Sequence, residues 1–434
     1  MKKHPRLTRS LLVTLVAFLL CSGLAAQVQD LSHSDPKQRM KAADKLGDTK
    51  DSEYIAPLRK LLKDPVPEVR GRAVAAIVSI GTQHSLEPLA EASRDSIPAI
   101  QLMAVDGMVN FYYPGYVKRG FSASLKKFGS SVKNRFAQPS EVVIDPYVPV
   151  SPDVIGAVGR LISGGVTLES RANAARAAGI LRGKAAIPQL KEALRSKDSV
   201  LILESVRSIE KIGDTSAGPG LTFLLRDLDD KVQLAVVKAV GQLLVKEAVP
   251  ELVGLVKTSD NKKIRRQSLI ALAKIPDSAQ RTTFLLYLRD GDHQIRAAAA
   301  EGIGRAGDPQ DLKVISEAFA KEKNESARLS MAFASVYLGD VSHLSYLTDG
   351  LNSTFHRMEA RPFLVELARK PAVLNRLHEL LAAGTNDQKR HLAYALSVSG
   401  TKESVSHLEK LTHDPEPKVA QAAIEAMKNL QSRL

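Results

Sequence analysis

Along this chain, apolar positions recur at spacings of four, and the whole pattern returns about every 31 residues. The stretches DPVPEVRGRAVAAIVSIG (64–81), DLDDKVQLAVVKAVGQL (227–243) and DGDHQIRAAAAEGIGRAG (290–307) align with one another. Each carries an acid, then an apolar residue followed by Arg or Gln, then small or apolar residues four and eight places on. The triplets are Val69/Ala73/Ile77, Val232/Val236/Val240 and Ile295/Ala299/Ile303, a spacing that puts three side chains on one helical face. Further copies begin at Gln38, Ile100, Ser170, Leu201, Ile264, Ala327 and Val419, with weaker ones at Met358 and Lys389. The steps between copies are 31, 31, 70, 31, 31, 32, 31, 32, 31, 31 and 30 residues.

A second apolar stretch follows the first in many copies, at 86–89, 187–190, 249–252 and 405–408. The spacing therefore predicts helix, short turn, helix in every unit. Gly81, Gly213 and Gly307 stand where the first helix should end, and Pro88, Pro188 and Pro250 stand in the first turn of the second, each where a helix terminus favours that residue. One such unit cannot bury its own apolar stripe, whereas stacked units bury it between neighbours. At Asp64, Pro65, Val69, Arg70, Ala73, Ile77 and their copies the chain resembles the HEAT repeats, in the short bacterial form called HEAT-like or PBS-lyase-type. The resemblance covers 30–434 apart from one interruption. It implies an all-α, right-handed α-α superhelix of about a dozen helix pairs, a fold that serves mainly as an interaction surface. Arg follows the anchor position at Arg39, Arg70, Arg171, Arg265, Arg296, Arg328 and Arg390. The resemblance implies that each bridges to an acid of its own or the adjoining repeat, such as Asp35, Asp64 or Asp292, in place of forming a ladder for a polyanion.

The 70-residue step, read as two periods plus 8, contains the interruption at 110–150. No acid occurs from 107 to 140, while Lys118, Arg119, Lys126, Lys127, Lys133 and Arg135 are all basic, and eight of the chain's aromatics fall between Phe111 and Tyr147. As a helix, the stretch would place Phe121, Leu125, Phe128, Val132 and Phe136 on one face and Arg119, Lys126 and Lys133 on the other. The proline-rich 138–152 reads as an extended return strap, and from Ser151 the sequence reads as the second helix of a unit. The Phe face has three readings: packing back onto the stack as an atypical first helix, docking into a partner protein, or lying on an anionic membrane surface. The candidate partner-binding residues are Tyr112, Tyr113, Tyr116, Lys118, Arg119, Phe121, Lys126, Lys127, Phe128 and Lys133.

Composition narrows the function further. Residues 1–26 have a basic start (Lys2, Lys3, Arg6, Arg9), an apolar run at 11–20 and small residues at 23–26, the pattern of a secretory signal peptide. The expected location is periplasmic or extracellular after cleavage, with an uncleaved membrane anchor as the alternative. The formal net charge is +14, and the segment that would be removed holds four bases and no acid. An exported basic protein points to a protein partner, or alternatively to anionic lipid or an envelope polymer. Export and the lack of Trp both count against nucleic acid. Cys21 is the only cysteine, which excludes an intrachain disulfide and a cysteine metal site. The ten histidines show no HExxH spacing, His378-Glu379 is the only His-Glu pair, and no phosphate loop, nucleophile elbow or dinucleotide fingerprint occurs. No catalytic, cofactor-binding or metal residue is therefore expected, and the chain reads as a monomeric, non-catalytic scaffold working through a concave surface and the interruption. An enzyme subunit with a groove site near the interruption is the rival reading.

Overall fold

The computed structural model describes residues 27–117, 136 and 141–434. Among them every regular element is helical. They divide into two compact units, Met1–Ala239 and Val240–Leu434, and each is a stack of helix pairs. In the first unit the pairs are α1 (Pro36–Asp48) with α2 (Ile55–Lys60), α3 (Pro67–Ile80) with α4 (Leu86–Ala92), α5 (Pro98–Tyr112) with α6 (Pro152–Gly164), and α7 (Leu168–Ile180) with α8 (Ile187–Ala193). Then come α9 (Ser199–Ile212), a 3-10 stretch at Thr215–Arg226 in place of a second helix, and α10 (Asp230–Gln242), inside which the division falls. The second unit continues with α11 (Val249–Thr258), α12 (Lys262–Lys274), α13 (Arg281–Tyr287), α14 (His293–Ala306), α15 (Leu312–Lys321), α16 (Glu325–Tyr337) and α17 (Leu344–Asp349). It ends with α18 (Arg357–Leu367), α19 (Pro371–Ala383), α20 (Asn386–Ser399), α21 (Lys402–Leu411) and α22 (Pro417–Arg433).

The helices form where the pattern places them because their ends carry the right residues. Asp35, Asp198, Asn261, Asp292 and Asn324 accept a backbone N–H of the helix that follows each, which satisfies a donor that has no partner inside the helix. Gly81, Gly213 and Gly307 end α3, α9 and α14 at φ 64°, 73° and 80°, the left-handed region that costs glycine nothing. The triplets Val69/Ala73/Ile77 and Ile295/Ala299/Ile303 are buried. Neighbouring first helices approach backbone to backbone in both units. A Cβ on Gly179 would lie 2.7 Å from Ser208 Cα, and one on Gly241 2.7 Å from Ala271 Cα.

Packing corrects the reading of the 70-residue step. α5 packs directly against α7, while α6 lies between α4 and α8 in the row of second helices. A single unit, α5 with α6, therefore holds everything between 98 and 164, and residues 113–151 are inserted at its internal turn. The step is one period plus 39 residues, and among the described residues no further first helix stands between α5 and α7. Helix α5 also runs on to Tyr112, past the expected start of the interruption at Asn110.

The anchor arginines bolt adjacent repeats. Arg39 donates to Asp64 at 2.7 and 2.9 Å, Arg70 to Asp95 at 2.6 and 3.0 Å, and Arg296 to Glu322 at 2.7 and 2.8 Å. In each case the acid sits in the turn before the next first helix, and a backbone carbonyl of the arginine's own turn takes a third N–H. The same carboxylates accept backbone N–H groups of that next turn, so one acid both fixes the turn ahead of a helix and anchors the preceding helix. Other copies depart from the expectation. Arg266 rather than Arg265 reaches Asp292, whereas Arg390 keeps to an acid of its own repeat, Asp387 at 3.5 Å, and Lys389 reaches Asp414 at 2.8 Å. Asp35 caps α1 without binding Arg39, Arg171 donates to the Ile162 carbonyl, and Arg328 lies between the Phe319 and Tyr346 rings, where the turn ahead offers Ser353 and Thr354 in place of an acid.

Candidate functional site

The insertion leaves the stack at the end of α5 and is held at both stems. Asn110, in the last turn of α5, accepts the backbone N–H groups of Gly115 and Val117 at 3.2 and 3.0 Å, with Gly115 at φ 92° turning the chain. The Tyr112 hydroxyl accepts the Ser151 N–H at 3.0 Å, tying the outgoing stem to the start of α6. Tyr112 also meets Phe111 edge to face, 4.9 Å between ring centres. Tyr113 is exposed and Tyr116 half-buried.

The return strap crosses the C-terminal ends of α7 and α9. Ile144 is buried, and its N–H donates to the Ile180 carbonyl at 2.9 Å. Arg182 occupies the left-handed position after α7, φ 50°, a place that glycine fills after α3, α9 and α14. Its guanidinium donates to the Ile144 carbonyl at 3.1 Å and to the Lys211 carbonyl at 3.1 Å. Lys211 in turn donates to the Val142 carbonyl at 3.1 Å, and burial pulls its ammonium below the ordinary lysine value. Three backbone groups of 142–144 are thus fixed by first-helix ends, and the strap then turns at 145–148, where the Val148 N–H donates to the Asp145 carbonyl at 3.1 Å.

Beneath the strap, the first helices carry buried charge. Arg176 on α7 donates to Glu204 on α9 at 2.7 and 3.1 Å, and Arg207 donates to the same carboxylate at 2.8 Å. Asn173 donates to Asp106 on α5 at 3.0 Å, bridging the row across the insertion. The Phe136 ring covers the Arg176 guanidinium at 4.6 Å, so this one aromatic of the expected apolar face turns onto the stack. Lys118, Arg119, Phe121, Lys126, Lys127, Phe128 and Lys133 lie outside the described residues. The structure therefore places Tyr112, Tyr113 and Tyr116 together at the outgoing stem. It adds Arg182, Lys211 and the Arg176–Glu204 cluster, which periodicity could not single out because a charged residue on a first helix normally faces solvent.

Among the histidines, His378 lies in the interior. It is buried, stacks on His407 at 4.2 Å and shares a 2.8 Å hydrogen bond with Ser404. Among the described residues, no three His, Cys, Asp or Glu side chains gather as a metal site would need.

Residues 24–108, 218–286 and 258–336 match the model for HEAT repeats. This is a HEAT-repeat protein. A comparison with curated proteins finds no match. Among solved structures, the HEAT-repeat chain is similar to the complex of CpcE and CpcF of phycocyanin lyase from Nostoc sp., at 21% identity over 68% of this chain and 100% of that one, with a TM-score of 0.34. It is also similar to an engineered protein, at 18% identity over 94% of this chain and 98% of that one, with a TM-score of 0.35. In HEAT-repeat terms, the insertion occupies the turn between the two helices of the third repeat, and repeat-to-repeat packing passes it without interruption.

Proposed function

We propose that this HEAT-repeat protein is an exported, non-catalytic scaffold that holds a protein partner at its inserted repeat. HEAT repeats commonly bind protein partners, and the insertion adds what a plain stack lacks: an acid-free stretch with six bases and several aromatics, residue types suited to contact an acidic, partly apolar surface. The single observation that carries the reading is the fixing of both stems. Tyr112–Ser151 and Ile144–Ile180 pin the insertion to α5, α6 and α7, so little ordering of the stems is left to oppose binding.

The test uses the mature protein as bait against envelope extract, beside a variant in which 118–135 is replaced by a Gly-Ser linker and one with Lys118, Arg119, Lys126, Lys127 and Lys133 changed to Glu. The expected result is one protein captured by the parent and lost from both variants, with helical circular dichroism unchanged. Equal capture by all three baits overturns the assignment of the partner to the insertion. Export is checked separately by the N-terminus of the secreted product, expected just after Ala25 or Ala26.

A further inference from the structure

The second unit carries a patch of another kind on its first-helix row. Met358 on α18 is 67% exposed, Tyr394 and Val398 on α20 are 46% and 38% exposed, and Phe355, three residues ahead of Met358, is 85% exposed. Arg361 joins the two helices, its guanidinium lying 4.4 Å over the Tyr394 ring. Met358 and Arg361 share one face of α18 and Tyr394 and Val398 one face of α20, the Arg361–Tyr394 contact joins the two, and Phe355 stands in the turn just ahead of α18.

Its charge is unbalanced. Burial, aided by the nearby Arg357, Arg390 and Arg361, opposes protonation of His391 and holds its imidazole down to about 4. The carboxylate near them is Asp387, 3.5 Å from both Arg357 and Arg390, a loose contact for either. Glu359 is engaged elsewhere, with Ser326 and His356. Among the described residues Arg361 has no ion pair, and the buried Nε2 of His391 has no hydrogen-bond partner. Arg357 and Arg390 share one loosely held carboxylate and Arg361 adds a third positive charge beside them, an excess that favours added negative charge, and Met, Tyr and Arg are the residue types that anchor protein interfaces.

We infer that the strip formed by Phe355, Met358, Arg361, Tyr394 and Val398 is a docking surface for an acidic peptide segment whose apolar side chains alternate with its carboxylates. The carboxylates meet Arg361 and its two neighbouring arginines, and the apolar groups cover Met358 and Val398. This surface is independent of the insertion, and losing the partner proposed there leaves it untouched.

The test is fluorescence anisotropy with the full chain and a labelled synthetic peptide alternating Glu with Leu and Phe, competed by the Gln-for-Glu peptide, by phosphatidylserine-containing vesicles and by oligo-dT. Binding of the Glu peptide should weaken at least about tenfold in Arg361→Glu and again in Met358→Glu, with thermal midpoints unchanged. Met358 is so exposed that its replacement disturbs no core, which keeps the test valid if Arg361→Glu folds poorly. No binding of the Glu peptide, equal binding of the Gln peptide, indifference to both substitutions, or displacement by vesicles or oligo-dT at lower concentration than by unlabelled peptide would each overturn the inference.

Discussion

Arg176 in the first unit and Arg305 in the second both bury a guanidinium on the first-helix row, and each meets the residue 28 places further on. For Arg176 that residue is Glu204, which takes the edge of the guanidinium and leaves its face to Phe136 of the insertion. For Arg305 it is Phe333, whose ring takes the face at 4.9 Å. The edge of Arg305 then goes to Glu366 at 2.9 Å, to Glu301 at 3.0 Å and to the Ala273 carbonyl at 2.9 Å. Burial pushes Glu301 above the ordinary carboxylate value against the pull of Arg305 and Ser330. In the second unit, then, the repeats supply both charge and cover for their buried cation. In the first unit the repeats supply the charge, and Phe136 of the inserted segment covers the guanidinium face. An inserted segment can therefore lend an aromatic contact to a stack whose ionic contact stays within the repeats.

The largest expected effects test that division directly. Glu204→Ala leaves the buried Arg176 and the partly exposed Arg207 without their shared acid and should cost about 3–5 kcal/mol in denaturant unfolding, with hydrogen exchange rising across α7 and α9. Phe333→Ala should cost a similar amount, about 3–5 kcal/mol, through the cavity it opens against Phe363 and Tyr337. If Glu204→Ala behaved as a surface substitution, costing under about 1 kcal/mol, the charge balance claimed for Arg176 would be wrong and the comparison would lose its basis.

The repeat itself was legible in the sequence because packing demands it. Val69, Ala73 and Ile77 must share a face, and Gly81 must end the helix, so spacing and residue type carry the information. The place of the insertion was not legible, since counting residues over the 70-residue step cannot say which helices touch; only the packing of α5 on α7 turns two periods plus 8 into one period plus 39. Partner choice in the arginine ladder was half legible. The acids are where a helix start needs them, yet Arg265 and Arg266 differ by about 100° around α12, and Arg266 is the one that reaches Asp292. Arg176, Glu204 and His378 look like solvated residues in a helical repeat, and only the neighbours that close over them make them interior.

Within the ladder the two units also differ, and acid should reveal it. Glu322 accepts two N–H groups from Arg296 and one each from the backbone of Lys323 and Asn324, whereas Asp95 accepts two from Arg70 and one from the Ile97 backbone. Arg296, helped by those amides, holds the Glu322 carboxyl down to about 2, against 4.5 for a free glutamate. A carboxyl whose folded value lies below its unfolded value stabilises the fold fully above about 4.5 and loses that contribution as pH falls towards about 2. Glu322→Gln should therefore lower stability by about 3 kcal/mol at neutral pH and flatten the acid limb of the thermal midpoint between those two values. An acid limb unchanged by Glu322→Gln would place the acid sensitivity in other groups.

The smallest expected effect is the most telling for the insertion. Phe136 is half-buried and touches Arg176 through its ring face, while Glu204 continues to satisfy the guanidinium edge whether or not the ring is there. Phe136→Ala should then cost about 1 kcal/mol, the size of a partly exposed cation–π contact, against the several expected for Phe333→Ala. A double-mutant cycle with Arg176→Met separates this contact from any other the ring makes, since the coupling should account for most of the single-mutant loss. A cost near that of Phe333→Ala, with little coupling to Arg176, would mean that the inserted segment is part of the first unit's core. A small and fully coupled cost means that the stack tolerates the insertion as an attachment, which is the property a scaffold needs if the same segment is to meet a partner.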